Sequence, residues 1–122
     1  MRVWHNGGMK VIKRAAKSIE KEEAHGGSGQ RKVYAAPEHL KSTAFQMMTH
    51  GFMPAGGMYD WHDHPGVEEI MVVMKGTGLV HDEDGEYPYE PGDVFVFPAD
   101  VMHKISNPTD HENEFIFVRV KV

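Results

Sequence analysis

From residue 31 onward the apolar positions come in short runs broken by turn residues, a pattern of strands rather than helices. The runs predict strands over 31–35, 42–52, 69–74, 78–82, 87–89, 94–97, 103–106 and 114–122. Turn signals fall between them at Pro54-Ala55-Gly56-Gly57, Pro65-Gly66, Lys75-Gly76, Asp84-Gly85, Pro91-Gly92-Asp93 and Asn107-Pro108. Many short strands at this spacing predict an all-β sandwich or barrel. Asp84-Gly85, between two of the runs, is a hairpin signal.

Before residue 31 the pattern changes. Residues 10–23 are rich in Lys and Glu, and Val11, Ile12, Ala15, Ala16 and Ile19 recur at a roughly helical interval. A short surface helix fits this, and so does an extended arm that pairs with a neighbouring subunit. Residues 1–8 read as an untethered lead-in, and His25-Gly26-Gly27-Ser28-Gly29 as a flexible connection. Those glycines serve chain reversal, not phosphate binding, since no lysine-bearing helix follows them. The predicted division is an N-terminal arm over 1–30 and a β-domain over 31–122.

A chain of 122 residues suits one hydrophobic core. With 40% hydrophobic and 25% charged residues it has the composition of an ordinary folded protein. The formal charge is -5 and no cationic stripe is present, so nucleic acid is not an expected partner. No apolar run approaches the ~20 residues that span a bilayer, and no secretory signal pattern opens the chain. The expectation is a cytoplasmic protein with no membrane partner. Cysteine is absent, which excludes disulfides and thiolate ligands and leaves nitrogen and oxygen donors for any metal. There are nine methionines, of which Met47, Met48, Met53, Met58, Met71, Met74 and Met102 fall in the β-region. They read as gap-filling in a small core.

The chemistry is carried by histidines. His62 and His64 are two residues apart, so on an extended segment they project from the same face. A carboxylate and a third imidazole, from Glu69 and His103, would close a nitrogen-rich, singly anionic cage of the kind first-row divalent metals prefer. Manganese, iron, nickel and zinc all accept that donor set. On an uninterrupted strand, however, Glu68 and not Glu69 would share the histidines' face. Pro65-Gly66 interrupts the strand and frees its phase to reset.

Glycines and prolines lie at fixed offsets around these residues. Gly56 precedes His62 and Gly76 follows Glu69; further on, Gly92, Pro98, His103 and Asn107 follow one another at set intervals. These are the two motifs of the cupin superfamily. Over roughly 45–118 the chain resembles a small single-domain cupin of type 2, and Gly92-Asp93-Val94-Phe95-Val96-Phe97-Pro98 is similar to the germin branch. The resemblance implies a double-stranded β-helix, or jelly-roll, barrel and a homodimer. Its spacing of glutamate and glycine selects Glu69, so the implied metal ligands are His62, His64, Glu69 and His103. Met71 and Val73 should then point inward with Glu69, and Ile70, Val72 and Met74 outward. His103 should share a face with Ile105. An octahedral ion on these four ligands keeps two positions for water or substrate. One departure is Asp100, at a place where the motif usually has glycine. Asp tolerates left-handed backbone angles, so the turn survives, and its carboxylate could lie near the mouth of the site.

Other residues carry two readings each. His50 and His81 could be proton donors lining a pocket or could sit on the surface, whereas His5, His25, His39 and His111 read as solvated. Tyr59 and Trp61 read either as packing at a sheet edge or as an aromatic lid, both on the wall opposite the ligands. Phe95, Phe97, Phe115 and Phe117 read as core. Arg31 and Arg119 lie inside predicted strands and could fix a substrate carboxylate from within a barrel. By resemblance, the function implied is a metal-dependent enzyme acting on a small oxygenated organic molecule, as a dioxygenase, decarboxylase, isomerase or lyase. The alternative is a non-catalytic module that binds a small ligand beside a structural metal.

Overall fold

A computed structural model describes residues 10–24 and 28–122. Its strands are β1 (Glu22–Glu23), β2 (Gln30–Ala35), β3 (Phe45–Met53), β4 (Met58–His62) and β5 (Val67–Lys75), followed by β6 (Gly78–Asp82), β7 (Gly85–Tyr89), β8 (Val94–Phe97), β9 (His103–Ser106) and β10 (Asn113–Lys121). They form a six-stranded sheet ordered β1-β2-β3-β10-β5-β8 and a four-stranded sheet ordered β4-β9-β6-β7. Every neighbouring pair of these strands is antiparallel and many neighbours are distant in sequence, which is the jelly-roll arrangement. His5 and His25 lie outside the described residues, as do the lead-in and most of the glycine-rich connection.

The N-terminal segment forms no α-helix among the described residues. It makes a single 3₁₀ turn, Ala16–Ser18, then pairs as β1 with its own β2, Glu22 opposite Arg31. Side chains explain the extended path. Arg14 donates to the Tyr34 and Val33 carbonyls at 2.7 and 3.1 Å, and Lys32 donates to the Ala16 carbonyl at 2.8 Å. Lys21 sits over the Phe52 ring, 4.1 Å from its centroid.

Strand bounds follow the sequence pattern with local exceptions. β3 starts at Phe45 rather than 42 because the Ser42 hydroxyl accepts the Ala44 and Phe45 amides and turns the chain there. The hairpin loop is Glu83-Asp84, one residue earlier than Asp84-Gly85, with Gly85 paired to Asp82. The Asp82 carboxylate fixes it by accepting the Asp84 and Gly85 amides at 2.8 and 3.0 Å. β4 was not among the predicted strands, since Asp60 and His62 break any clean alternation.

The core lies between the sheets, with Phe115, Met53, Met71, Val73 and Ile105 almost wholly buried. Burial of one such side chain contributes about 1.5–3 kcal/mol. Of the methionines, Met53 and Met71 fill the core, but Met58, Met74 and Met102 are exposed, so the gap-filling reading holds only for some. Ile70, Met74, Val94 and Val96 point away from the core on neighbouring strands β5 and β8, and form an exposed apolar strip.

The ends of the barrel are tied by buried amides. Asn107 donates to the Pro54 and His111 carbonyls and accepts the Thr109 amide. Asn113 donates to the Thr77 carbonyl and the Tyr89 hydroxyl. Gly76, at φ +90°, must be glycine twice over: the backbone is left-handed, and an added Cβ would fall 1.7 Å from Asn113 Oδ1.

Candidate metal centre

Strand register stacks the barrel interior in layers. In one layer Met47, Arg119, Glu69 and Phe97 lie side by side across β3, β10, β5 and β8. Facing them on the other sheet are His62 and His103, which are paired across β4 and β9. The next layer is apolar, with Phe117, Met71 and Phe95 facing Tyr59 and Ile105. Glu69 and Arg119 thus share a layer with the histidines.

The phase reset at Pro65-Gly66 is a tight turn. The Val67 amide donates to the His64 carbonyl at 3.1 Å, and Gly66 takes φ +68°. Proline at the second place and left-handed glycine at the third are the requirements of a type II turn. Beyond it Val67, Glu69, Met71 and Val73 are buried, while Glu68, Ile70 and Met74 are exposed and Val72 is half-buried. His103 and Ile105 share the buried face of β9. Asp100 is the one described non-glycine residue with positive φ, at +66°. Its amide reaches the His64 carbonyl at 3.4 Å, so the loops of the two motifs touch through backbone. Its side chain is exposed.

His62, His64 and His103 each present a ring nitrogen, and these atoms lie within 4.8 Å of one another. Three imidazoles so placed could hold a metal ion. Glu69 falls outside that mutual distance, but its Oε1 is 3.6 Å from His64 Nε2 and 4.0 Å from His103 Nε2. Its other oxygen accepts from Arg119 Nε at 2.7 Å. His62 Nδ1 is 2.5 Å from the Asp60 carbonyl and His103 Nδ1 is 2.9 Å from the Val101 carbonyl. A carbonyl can only accept, so each ring carries its proton on Nδ1 and offers the Nε2 lone pair, the tautomer a metal needs. The Phe97 ring lies nearly parallel on His103 at 4.2 Å and fixes its plane.

Two nitrogens in this cluster, His64 Nε2 and His103 Nε2, are buried with no hydrogen-bond partner. Such a group costs about 1–3 kcal/mol unless something else satisfies it. A cation fits that requirement. Burial pushes the His103 imidazole below its ordinary pKa, and the neighbouring His62 and His64 rings act in the same direction. Burial alone would raise the Glu69 carboxyl, but His64 and Arg119 outweigh it and hold the group below its ordinary value. The centre therefore favours a neutral His103 imidazole beside an ionised Glu69 carboxylate.

The remaining candidates are placed differently. Tyr59 and His62 both face inward because the β4–β9 register shifts between them, a bulge at Asp60-Trp61. Tyr59 packs on Phe115 and Phe117 and its phenol is pushed up by burial, so it is neither on a wall opposite the ligands nor a lid. Trp61 is thrown outward against His81. His81 itself bonds Ser106 Oγ at 3.0 Å. His50 lies on the outer face of the six-stranded sheet, between the Tyr34 hydroxyl at 2.6 Å and Glu114 at 2.8 Å. Neither His50 nor His81 lines the site. His39 Nδ1 accepts the Ala36 amide, and His111 is exposed near Thr109. Arg31 pairs with Glu22 at the sheet edge. The Glu69–Arg119 pair carries no sequence signal, since only β10 register brings the two together.

A cleft of about 210 Å³ opens beside the centre, where edge strand β8 stands away from β6 and β7. Val80, Tyr87, Phe95, Phe97 and Val101 line it together with His103. Its walls are chiefly apolar.

A jelly-roll barrel with three converging imidazoles defines a class, and comparison with known proteins agrees with it. Residues 49–119, more than half of the chain, match the family model described as the cupin domain, and the chain belongs to that family. An oxalate-binding protein of Thermotoga maritima is 31% identical over 80 residues, 66% of this chain and 64% of that protein. An auxin-binding protein of Prunus persica is 36% identical over 56 residues, 42% of this chain and 26% of that protein. This chain thus spans less than two thirds of either relative. The solved structure of a Thermotoga maritima protein described as a predicted oxalate decarboxylase superposes with a TM-score of 0.79 at 23% identity, covering 91% of this chain and 100% of that one. That likeness concerns the fold. Among the described residues no helix is long and apolar enough to cross a membrane.

Proposed function

We propose that His62, His64, His103 and Glu69 hold one divalent transition metal, of the manganese, iron, nickel or zinc group, and that the protein uses it as an enzyme on a small oxygenated organic molecule. The observation that carries this reading is the pair of buried, unpartnered Nε2 atoms on His64 and His103 beside the ionised Glu69. When bound, the ion supplies Lewis-acid polarisation or redox chemistry, suited to a dioxygenase, decarboxylase, isomerase or lyase. The chain's own residues prepare the site for it. Asp60 and Val101 carbonyls orient two rings, Phe97 braces the His103 ring, and chiefly apolar walls line the cleft that reaches it. Tyr59 stays protonated, so its phenol keeps an O–H to donate.

Elemental analysis of untagged protein, followed by reconstitution with each metal and a screen of small organic acids and diketones, tests the reading. Turnover that persists in metal-free protein refutes it. A second reading, a non-catalytic module that binds a small ligand beside a structural metal, is favoured by the names of the oxalate-binding and auxin-binding relatives. Tight ligand binding with no product under any metal would select it.

We further propose that the chain acts as a cytoplasmic homodimer. The absence of cysteine suits a reducing compartment. The exposed strip of Ile70, Met74, Val94 and Val96 beside an edge strand supports pairing of two copies. Light scattering should give twice the chain mass for the wild type and the chain mass for Val96→Lys; one chain mass for the wild type would refute it.

A further inference from the structure

Arg119 stands in the same barrel layer as Glu69, directly across β10 from it. Its guanidinium has five N–H donors in a fixed fork. One of them, on Nε, is donated to Glu69 Oε2 at 2.7 Å, and among the described residues no acceptor is met by the others. The side chain is 32% exposed whereas Glu69 is 2% exposed, so the arginine lies on the open side of the pair. Its free donors are accessible and rigidly mounted, because Glu69 holds the Nε end.

Charge completes the argument. Glu69 alone would leave a divalent ion with one net positive charge, and Arg119 restores a second. A centre with two positive charges is matched by a dianion. Within that centre the two oxygens of one carboxylate separate the histidine cluster from the guanidinium, since Oε1 faces His64 and Oε2 faces Arg119. The distance between the two positive groups is therefore short, on the scale of a ligand with only a few carbons.

We propose that Arg119 forms an anion subsite beside the metal centre, selecting small dicarboxylates whose one carboxylate meets the free guanidinium N–H groups while the other faces the imidazole cluster. This rests on the metal reading above and adds the ligand class. It also gives Arg119 two tasks, since its Nε orients Glu69 while its remaining nitrogens receive the ligand.

The test compares wild type with Arg119→Met and Arg119→Lys, each reconstituted with manganese. Metal content is measured by elemental analysis, and affinities for oxalate, malonate, acetate and the neutral diketone acetylacetone are measured by calorimetry. The wild type should bind oxalate or malonate at least tenfold more tightly than acetate. With the centre kept saturated in manganese, Arg119→Met should lose roughly ten- to a hundredfold in dicarboxylate affinity, a far larger factor than any loss it shows for acetylacetone or for the metal. Arg119→Lys should recover part of the loss, because it restores charge without the planar fork. If manganese-saturated Arg119→Met weakens all four ligands equally, the residue acts only through Glu69 and the subsite is refuted. A wild type that loads manganese but shows no preference for dicarboxylates refutes the subsite alone. A wild type that takes up no ion overturns the metal reading and the subsite with it, and elemental analysis separates these cases before any ligand is added.

Discussion

Tyr59 and His62, three positions apart on one strand, both point into the barrel. Regular pleating would send them to opposite faces; the shift in register against Ile105 and His103 brings them to the same one. The bulge thus decides which aromatic residue joins the interior and which is expelled. Trp61→Ala should therefore leave metal content unchanged and alter stability by less than about 1 kcal/mol, as read from urea unfolding with elemental analysis. Loss of metal in that variant would contradict the outward placement.

Removal of a ligand should empty the centre without unfolding the barrel. For His62→Ala and for His103→Ala, elemental analysis should find metal per chain falling from about one to near zero, with the strand signature in circular dichroism retained. Glu69→Gln keeps shape but loses charge, and should weaken metal affinity by about tenfold or more. Full metal retention in all three would remove the basis of the site.

Acid should destabilise the metal-free protein in two steps. His103 is held below its ordinary value of 6.5, so the unfolded chain gains a proton first as pH falls, and stability is lost from about that value down to the folded pKa. Glu69 is likewise held below its ordinary 4.5, so a further loss begins there and runs to its own folded pKa. Thermal melts of chelator-treated protein from pH 8 to 2 should show Tm falling through both windows. His103→Asn should remove the upper step, and a profile unchanged by that substitution would contradict the assignment.

Two glycines with similar backbone angles should respond unequally to alanine. Gly66→Ala meets no atom within 4 Å and should cost only the left-handed strain, about 1–2 kcal/mol. Gly76→Ala places a methyl against Asn113 and should cost clearly more, enough to displace the amide that ties Thr77 to Tyr89. Denaturant midpoints of the two variants decide this; equal losses would mean that the Asn113 amide moves freely.

Asp100 occupies left-handed backbone without being glycine. Asp100→Gly should stabilise by up to about 1 kcal/mol, and Asp100→Val should destabilise, since a β-branched residue is least tolerant there. Calorimetric melts would show the opposite order if the carboxylate made a contact worth more than the strain.

Much of the fold was legible in advance because turn residues and alternation are local properties. β6, β8 and β9 match the predicted bounds, and the inward row of β5 follows once Pro65-Gly66 is read as a break. The three imidazoles were legible from His62, His64 and His103 because ligation needs particular residue types at particular offsets. What escaped depends on long-range register. The inward turn of Tyr59 arises from a bulge whose partner strand lies far along the chain, and Arg119 meets Glu69 only because β10 inserts between β3 and β5. For the N-terminal segment the spacing left a short helix and an extended arm both open, and the extended path is taken where Arg14 and Lys32 bond to backbone carbonyls.

The Asp100 amide resting on the His64 carbonyl joins two loops that a nascent chain produces well apart in time. Until β9 docks beside β4, the chain can offer the proposed ion His62, His64 and Glu69 from one segment but not the third imidazole, His103. On the proposed metal reading, full affinity needs the β4–β9 pairing, so the ion would favour the native state over every form that lacks it by mass action. On the metal reading proposed above, metal supply would then set how much of the folded protein persists.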